Sequence, residues 1–206
     1  MGWYDLFSRF YDSSLEPLYR EQRVAAAAAL QLAPGQRVLD LPCGTGLSLP
    51  VLREGVGESG AVLGVDLSSG MLARAHAKVG ELGWSNVQLQ VSDVMALDAA
   101  ILETKLGAPQ VERLHIFLGM SAFPDPAAAL EALWALLAPG GRCVIVDVHA
   151  ERLGFQGRMV NLVARADIRR RSWEPLEALA SDFTREALPS LPEHGGELFL
   201  ATGVKA

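Results

Sequence analysis

Short runs rich in β-branched residues and leucine alternate along the chain with longer stretches whose apolar side chains recur at helical spacing. That alternation predicts parallel strands joined by crossover helices. The strand candidates are Arg37–Leu41, Ala61–Asp66, Val87–Val91, Arg113–Leu118 and Cys143–Val148, followed by Ala187–Leu191 and Leu198–Val204. Between them, Gln22–Leu32 carries five consecutive alanines and stops before Ala33-Pro34-Gly35, and Gly70–Leu82 is apolar on one face. Pro126–Leu137 ends at Ala138-Pro139-Gly140-Gly141, a stop signal placed just before a strand, and Ser172–Ser181 opens on a serine suited to cap a helix. The predicted fold is α/β: a Rossmann-like, mostly parallel seven-stranded sheet with helices on both faces. In such sheets ligands bind beyond the carboxyl ends of the strands.

Composition narrows the function classes. The 206 residues are half apolar and one-fifth charged, enough for one domain with its own core and far from the make-up of a disordered or collagen-like chain. Residues 1–206 show no repeat and no linker that would split them. Eighteen basic against 24 acidic residues leave a net charge of −6. This argues against a nucleic-acid partner, since phosphate attraction needs clustered Lys and Arg. No apolar run approaches the roughly 20 residues of a membrane-spanning helix. Residues 1–10 place charges where a signal peptide has its apolar centre, and Leu6 stands where a myristoylation signal needs Ser or Thr. The expected location is therefore the cytoplasm. Cys43 and Cys143 lie far apart without metal-ligand spacing, so neither a disulfide framework nor a metal site is expected.

The candidate chemistry gathers at strand ends. The first strand runs into Val38-Leu39-Asp40-Leu41-Pro42-Cys43-Gly44-Thr45-Gly46, with two glycines where the chain must turn sharply beside a ligand. The dinucleotide fingerprint is not met, because its third glycine would fall at Leu49. The second strand ends in Asp66, 20 residues after Gly46, where a carboxylate can accept both hydroxyls of a ribose. A third strand leads into Asp93, so Asp40, Asp66 and Asp93 end three successive strands. Any one of them could simply cap a turn; three in register beside a glycine turn point to a ligand rim.

Four segments carry a resemblance to a known family: 38–46, Gly64–His76 with its Asp66-Leu67-Ser68-Ser69-Gly70-Met71-Leu72 run, Ser92-Asp93-Val94, and Leu136–Arg142 followed by a strand. They resemble the class I S-adenosylmethionine-dependent methyltransferases, and specifically the branch acting on quinone rings and phospholipid headgroups, which often has a Tyr-Asp pair near the N-terminus, here Tyr11-Asp12. The resemblance implies a cofactor-binding core over 22–149, an N-terminal lid segment over 1–21, and a substrate lid with the final helix and strands over 150–206. It implies S-adenosylmethionine as cofactor and S-adenosylhomocysteine as product. Gly44, Thr45 and Gly46 would line the methionyl and ribose portion, with Asp40 near the amino group. Asp66 would hold the ribose hydroxyls, Leu67 and Met71 would flank the adenine, and Asp93 with Val94 would read its edge. Pro42 departs from the glycine usual in the family and removes one backbone donor from the turn.

Methyl transfer is an in-line displacement in which the protein chiefly positions the nucleophile and excludes water, with a base needed where the acceptor must lose a proton. His149, after the fifth strand, and Tyr11 are the candidate catalytic groups, although His149 could equally hydrogen-bond a loop carbonyl. His115 reads as structural, at the start of a strand on the far side, and His76 as a solvated helix residue. Tyr4, Tyr19, Met120, Ser121 and Phe123 are the substrate-binding candidates; the resemblance implies that the segment after the fourth strand faces the substrate, where the last three would form a mostly apolar wall.

Substrate choice is expected outside the shared core. Residues 3–11 repeat large apolar side chains, and 153–163 alternate apolar positions with bases leading to Arg169-Arg170-Arg171. Such segments either pack together as a lid over a greasy ligand or touch an anionic membrane peripherally. The expected substrate is a small, partly apolar molecule or a lipid headgroup, with N-methylation ahead of C- or O-methylation of a quinone or phenol. A non-catalytic module that binds the cofactor is the alternative of another class, and turnover separates the two. A nicotinamide oxidoreductase is disfavoured by Leu49. Oligomeric state is not encoded in any of these signals.

Overall fold

In the computed structural model, which describes residues 17–206, the strand β1 (Arg37–Leu41) pairs in parallel on both edges, with β2 (Ala61–Asp66) on one side and β4 (Val111–Phe117) on the other. β3 (Val87–Val91) extends the sheet outside β2, and β5 (Leu137–His149) extends it outside β4, both parallel. β7 (Glu197–Val204) runs antiparallel against β5, and β6 (Thr184–Leu188) closes that edge antiparallel to β7. The order β3-β2-β1-β4-β5-β7-β6 makes a seven-stranded, mostly parallel sheet. Chain progression reverses direction between β1 and β4, the switch point where open α/β sheets leave a crevice beyond the strand ends.

Alternating side chains on each strand feed two cores. Val38, Val62, Val144 and Val146 face one way. They pack with Leu30 at the C-terminal cap of α1 (Arg20–Ala29), Leu49 and Leu52 of α2 (Leu49–Val56), and Leu72 and Ala75 of α3 (Ser69–Glu81). Leu39, Leu63, Leu114 and Ile145 face the other way. Their partners are Leu102 of α4 (Ala99–Leu106), Leu130 and Leu133 of α5 (Pro126–Leu136), and Leu176 of α7 (Glu174–Leu179). α6 (Phe155–Ala164) follows β5 and leaves Phe155 and Leu162 largely in solvent. Helix starts are fixed by side chains that satisfy orphan amides: Ser68 Oγ accepts from the Met71 N–H, Asp98 from Ile101, and Asp125 from Ala127 and Ala128, with Pro126 in the first turn.

The differences from the sequence reading have local causes. α1 ends at Ala29 instead of Leu32, because Gln31 adopts a left-handed φ of 52° and the Leu30 carbonyl is taken by the Arg113 guanidinium at 2.7 Å. The predicted helix over 172–181 shortens to α7, and Ser172 is not its cap: Trp173 holds that position, and the buried Ser172 Oγ has no hydrogen-bond partner among the described residues. The strand placed at Ala187–Leu191 is β6, three residues earlier. Thr184 and Leu188 pair with Thr202 and Leu198, and Pro189 cannot donate to the ladder beyond them. The Ala138–Gly141 stop signal is absorbed into β5, which begins at Leu137 and bends at Gly140 with φ 74°. α2, α4 and α6 complete the helices between the strands.

Leu63 is fully buried in the middle of β2. Leu63→Ala is expected to cost about 2–5 kcal/mol in urea denaturation, the range for a cavity in a packed core. Leu82→Ala, at a position 53% exposed, should stay within about 0.5 kcal/mol.

Candidate active site

The turn after β1 is built so that the backbone itself faces the crevice. The Leu41–Pro42 peptide is cis, Gly44 takes φ 56° and Gly46 φ 79°. At Gly46 a Cβ would lie 2.7 Å from Leu49 Cδ1, so both conformation and space demand glycine. Across the switch point a Cβ on Gly119 would collide with the Pro42 ring, so the ends of β1 and β4 meet at backbone distance. Just before it, Leu118 holds a left-handed φ of 55°, a strained conformation for a branched residue.

Asp66 ties the turn to the next strand. One carboxylate oxygen accepts the Gly44 N–H at 2.8 Å and the other accepts the Ser68 N–H at 2.8 Å. Burial pushes this carboxyl above its ordinary value, opposed by those same backbone donors. Each oxygen keeps a further lone pair for a ligand. Asp66 is the last residue of β2, and its bond to Gly44 adds a structural duty that sequence spacing did not reveal.

Asp40 lies deeper. His115 does not start a strand on the far side; it sits inside β4, in register with Asp40 on the adjacent β1, because β4 inserts directly next to β1. The His115 Nδ1 and Asp40 Oδ1 are 2.7 Å apart, both residues being 1% exposed. The His115 ring stacks on Phe117 at 5.8 Å, and the Arg23 guanidinium lies 5.4 Å from the centre of the same Phe117 ring. Arg23, Pro42, Gly44, Thr45, Ser48, Phe117 and Leu118 line a small cleft at the strand ends. Arg23 and Phe117 were absent from the sequence reading. The available signal was an arginine in register with buried Ala26, Ala27 and Leu30, a charge on the inward face of an alanine helix.

The remaining candidates separate into those at the rim and those turned away. Asp93 is exposed and its Oδ1 accepts the Met95 N–H at 2.9 Å, so it does cap the short 3₁₀ turn Val94–Ala96. Leu67, 70% exposed, stands at the end of β2, and Met95 is exposed just past the end of β3. Met71 is buried, and so is Thr45. Met120 and Ser121 do not form a wall on the crevice. Met120 is fully buried in the second core, and the Ser121 amide and hydroxyl both donate to Asp147 at 2.8 Å, which turns the loop inward. Phe123 packs against that same core. Tyr19 is buried, edge-on to Phe117 at 6.2 Å and beside the His194 ring at 4.8 Å. Tyr4 and Tyr11 lie outside the described residues.

His149 is at the end of β5 with its ring edge-on to Trp173 at 5.0 Å. Its Nδ1 is 3.2 Å from the Arg170 carbonyl, the loop-carbonyl bond that was the alternative to a catalytic role; a carbonyl only accepts, so Nδ1 carries the hydrogen and Nε2 is left for other work. His76 is exposed on α3. Burial raises the Cys43 thiol far above its ordinary range, with Asp40 and Asp66 adding to the effect, so it is no nucleophile at neutral pH. Among the described residues no three His, Cys, Asp or Glu side chains gather as a metal site, and no helix is long and apolar enough to cross a membrane.

Comparison with known proteins now bears on this geometry. A family model described as a methyltransferase domain matches residues 32–182. Phosphatidylethanolamine N-methyltransferase of Cereibacter sphaeroides is 31% identical over 192 residues, 92% of this chain and 89% of that protein. Arsenite methyltransferase of Aquipseudomonas alcaligenes is 36% identical over 59% of this chain, and demethylmenaquinone methyltransferase of Lactococcus lactis is 36% identical over 55%. The chain spans only 35% and 42% of those two relatives' lengths. Among solved structures, a SAM-dependent methyltransferase from Aquifex aeolicus superposes with a TM-score of 0.66 at 22% identity, covering 98% of both chains, a likeness of fold.

Asp147 offers a test of how the loop after β4 is held. It is fully buried, and burial pushes its carboxyl up to about 6, against donors from Ser121 and Val148. The folded chain therefore holds this proton more tightly than the unfolded one, so this group's contribution to stability falls as pH rises from about 4 to about 6. The difference in unfolding free energy between wild type and Asp147→Asn is expected to drop by about 1–3 kcal/mol over that interval. A flat difference in urea titrations at pH 4 to 7 would contradict this assignment.

Proposed function

Because this chain belongs to the S-adenosylmethionine-dependent methyltransferases, we propose that it transfers a methyl group to a lipid headgroup or a small, partly apolar molecule, with nitrogen the favoured acceptor. The observation that carries the reading is the Asp66 carboxylate at the rim of the switch point, bonded to the glycine turn that faces the crevice.

The residues present suit the cofactor. A Cβ at Gly44 would meet nothing within 4 Å, so the turn opens onto free space, and Asp40 Oδ2 is a buried acceptor with no hydrogen-bond partner among the described residues. Asp40 would take the ammonium end, Gly44 and Gly46 would line the methionyl and ribose portion, and Asp66 would hold the ribose hydroxyls. Arg23 brings a guanidinium to the same cleft, suited to the carboxylate of the amino-acid end. Leu67 and Met95 supply apolar surface for adenine beside Asp93 and Val94. When bound, S-adenosylmethionine supplies the electrophilic methyl group. The chain's own task is to align the acceptor and exclude water. In this reading His149 takes a proton from an acceptor that must lose one, through Nε2, and Tyr11 assists from outside the described residues.

A lipid-headgroup acceptor is supported by two observations. One relative matched along nearly the whole chain is a phosphatidylethanolamine N-methyltransferase. In addition, α6 exposes Phe155, Met159 and Leu162 at helical spacing next to Arg158, an amphipathic face suited to a lid over an apolar chain or to an anionic bilayer surface. C- or O-methylation of a quinone, phenol or other secondary metabolite is the second reading, supported by the demethylmenaquinone methyltransferase match.

Calorimetric titration tests the cofactor first. S-adenosylmethionine is expected to bind and NAD is not, with Asp66→Ala weakening binding at least tenfold, about 1.4 kcal/mol. Incubation with phosphatidylethanolamine vesicles should then produce S-adenosylhomocysteine. Binding of NAD in place of S-adenosylmethionine would overturn the assignment, and cofactor binding without turnover on amines, phenols or lipids would mark a non-catalytic module.

A further inference from the structure

Asp40 and His115 form a buried pair that cofactor spacing alone does not explain. Both side chains are 1% exposed, they come from adjacent strands 75 residues apart in sequence, and they meet at 2.7 Å. A carboxylate can only accept, so the hydrogen of this bond sits on His115 Nδ1. The bond occupies Oδ1 and leaves Oδ2 buried without a donor among the described residues. Buried polar atoms are nearly always satisfied, and Asp40 Oδ2, two residues before the cleft-lining Pro42, is one of the few among the described residues that are not. The ring cannot swing away from this duty. It is stacked on Phe117, which is gripped in turn by Arg23 over its face and Tyr19 at its edge.

We propose that His115 is a positioning residue for cofactor binding: by holding Asp40 Oδ1 it locks the carboxylate so that Oδ2 receives the ammonium of the amino-acid end. This rests on the S-adenosylmethionine reading and extends it to a residue that touches no ligand itself. Without the imidazole, the carboxylate is free to rotate about its last torsion, a broad, two-fold rotor. The acceptor would then have to be ordered at the moment of binding. The role also explains why a histidine interrupts β4, where its chain neighbours Leu114 and Ile116 are core leucine and isoleucine.

The test compares ligands that do and do not carry the ammonium. The full chain is titrated with S-adenosylmethionine, S-adenosylhomocysteine and 5′-methylthioadenosine, which keeps the adenosine and sulfur but lacks the amino-acid end. His115→Leu should weaken the first two at least tenfold and 5′-methylthioadenosine by less than threefold. His115→Asn, whose amide nitrogen falls near the Nδ1 position, should restore binding to within threefold of wild type. Asp40→Asn should reproduce the selective loss, and adding His115→Leu to it should cost nothing further, because the two residues act as one unit. Should His115→Leu fail to fold, His115→Gln replaces it, since its amide reaches the Nε2 position and not Nδ1; the same selective loss is expected. Unchanged affinity for S-adenosylmethionine, an equal loss for all three ligands, or additive losses in the double variant overturns the role of His115. A wild-type chain that binds none of the three adenosine ligands overturns the functional reading on which it rests.

Discussion

The parallel pairing of β1 with β2 on one edge and β4 on the other is the constraint from which the site follows. Parallel neighbours deliver their carboxyl ends to the same side, and the reversal of chain direction between β1 and β4 opens a crevice there. Asp66 ends β2 and Asp40 lies one residue inside the end of β1 on that side, and Arg23, Phe117 and Leu118 close around the same point. A shift of one residue in the β1–β4 register would send His115 to the face of Leu114 and Ile116 and break its bond to Asp40. Register is protected on both sides of the sheet. Val38 and Leu39 are each fully buried in opposite cores, so neither can exchange faces without large loss of apolar burial.

The site concentrates negative groups in low-polarity surroundings. Asp66, Asp40 and the protonated Cys43 lie close enough that each carboxylate makes the thiol harder to ionise. Such a floor favours a ligand that carries positive charge, which suits a sulfonium cofactor with an ammonium. The compensation is local: backbone donors on Asp66, the imidazole on Asp40 and the guanidinium of Arg23 over Phe117. Backbone amides and an aromatic-backed cation hold their orientation before any ligand arrives, so the reorganisation needed on binding is small.

The central strands were legible because a strand buried on both faces reads as a continuous apolar run, as in Val38–Leu41 and Val62–Val65. Asp66 and the glycine turn were legible because sharp turns and strand-end carboxylates leave local marks. What escaped was non-local. Periodicity carries no information on strand direction, so the antiparallel placing of β7 between β5 and β6 had no sequence signal. Arg23 was hidden in an alanine-rich helix whose inward face is only visible once packed. The Asp40–His115 bond joins residues 75 positions apart, and the inward turn of Met120 and Ser121 is dictated by Asp147 on another strand, where the family resemblance implied a wall facing the substrate.

The position of β7 bears on how the chain is made. It is the last strand in chain order, yet it lies inside the sheet between β5 and β6. As the polypeptide emerges from the ribosome, β1 to β5 can assemble with their helices while the outer edge of the 13-residue β5 has no partner. An unpaired edge of that length is a template for pairing with another nascent chain. β6 cannot shield it, because β6 reaches the sheet only through β7. The interval between synthesis of β5 and arrival of β7 is thus when the growing sheet exposes its longest strand with one edge unpaired.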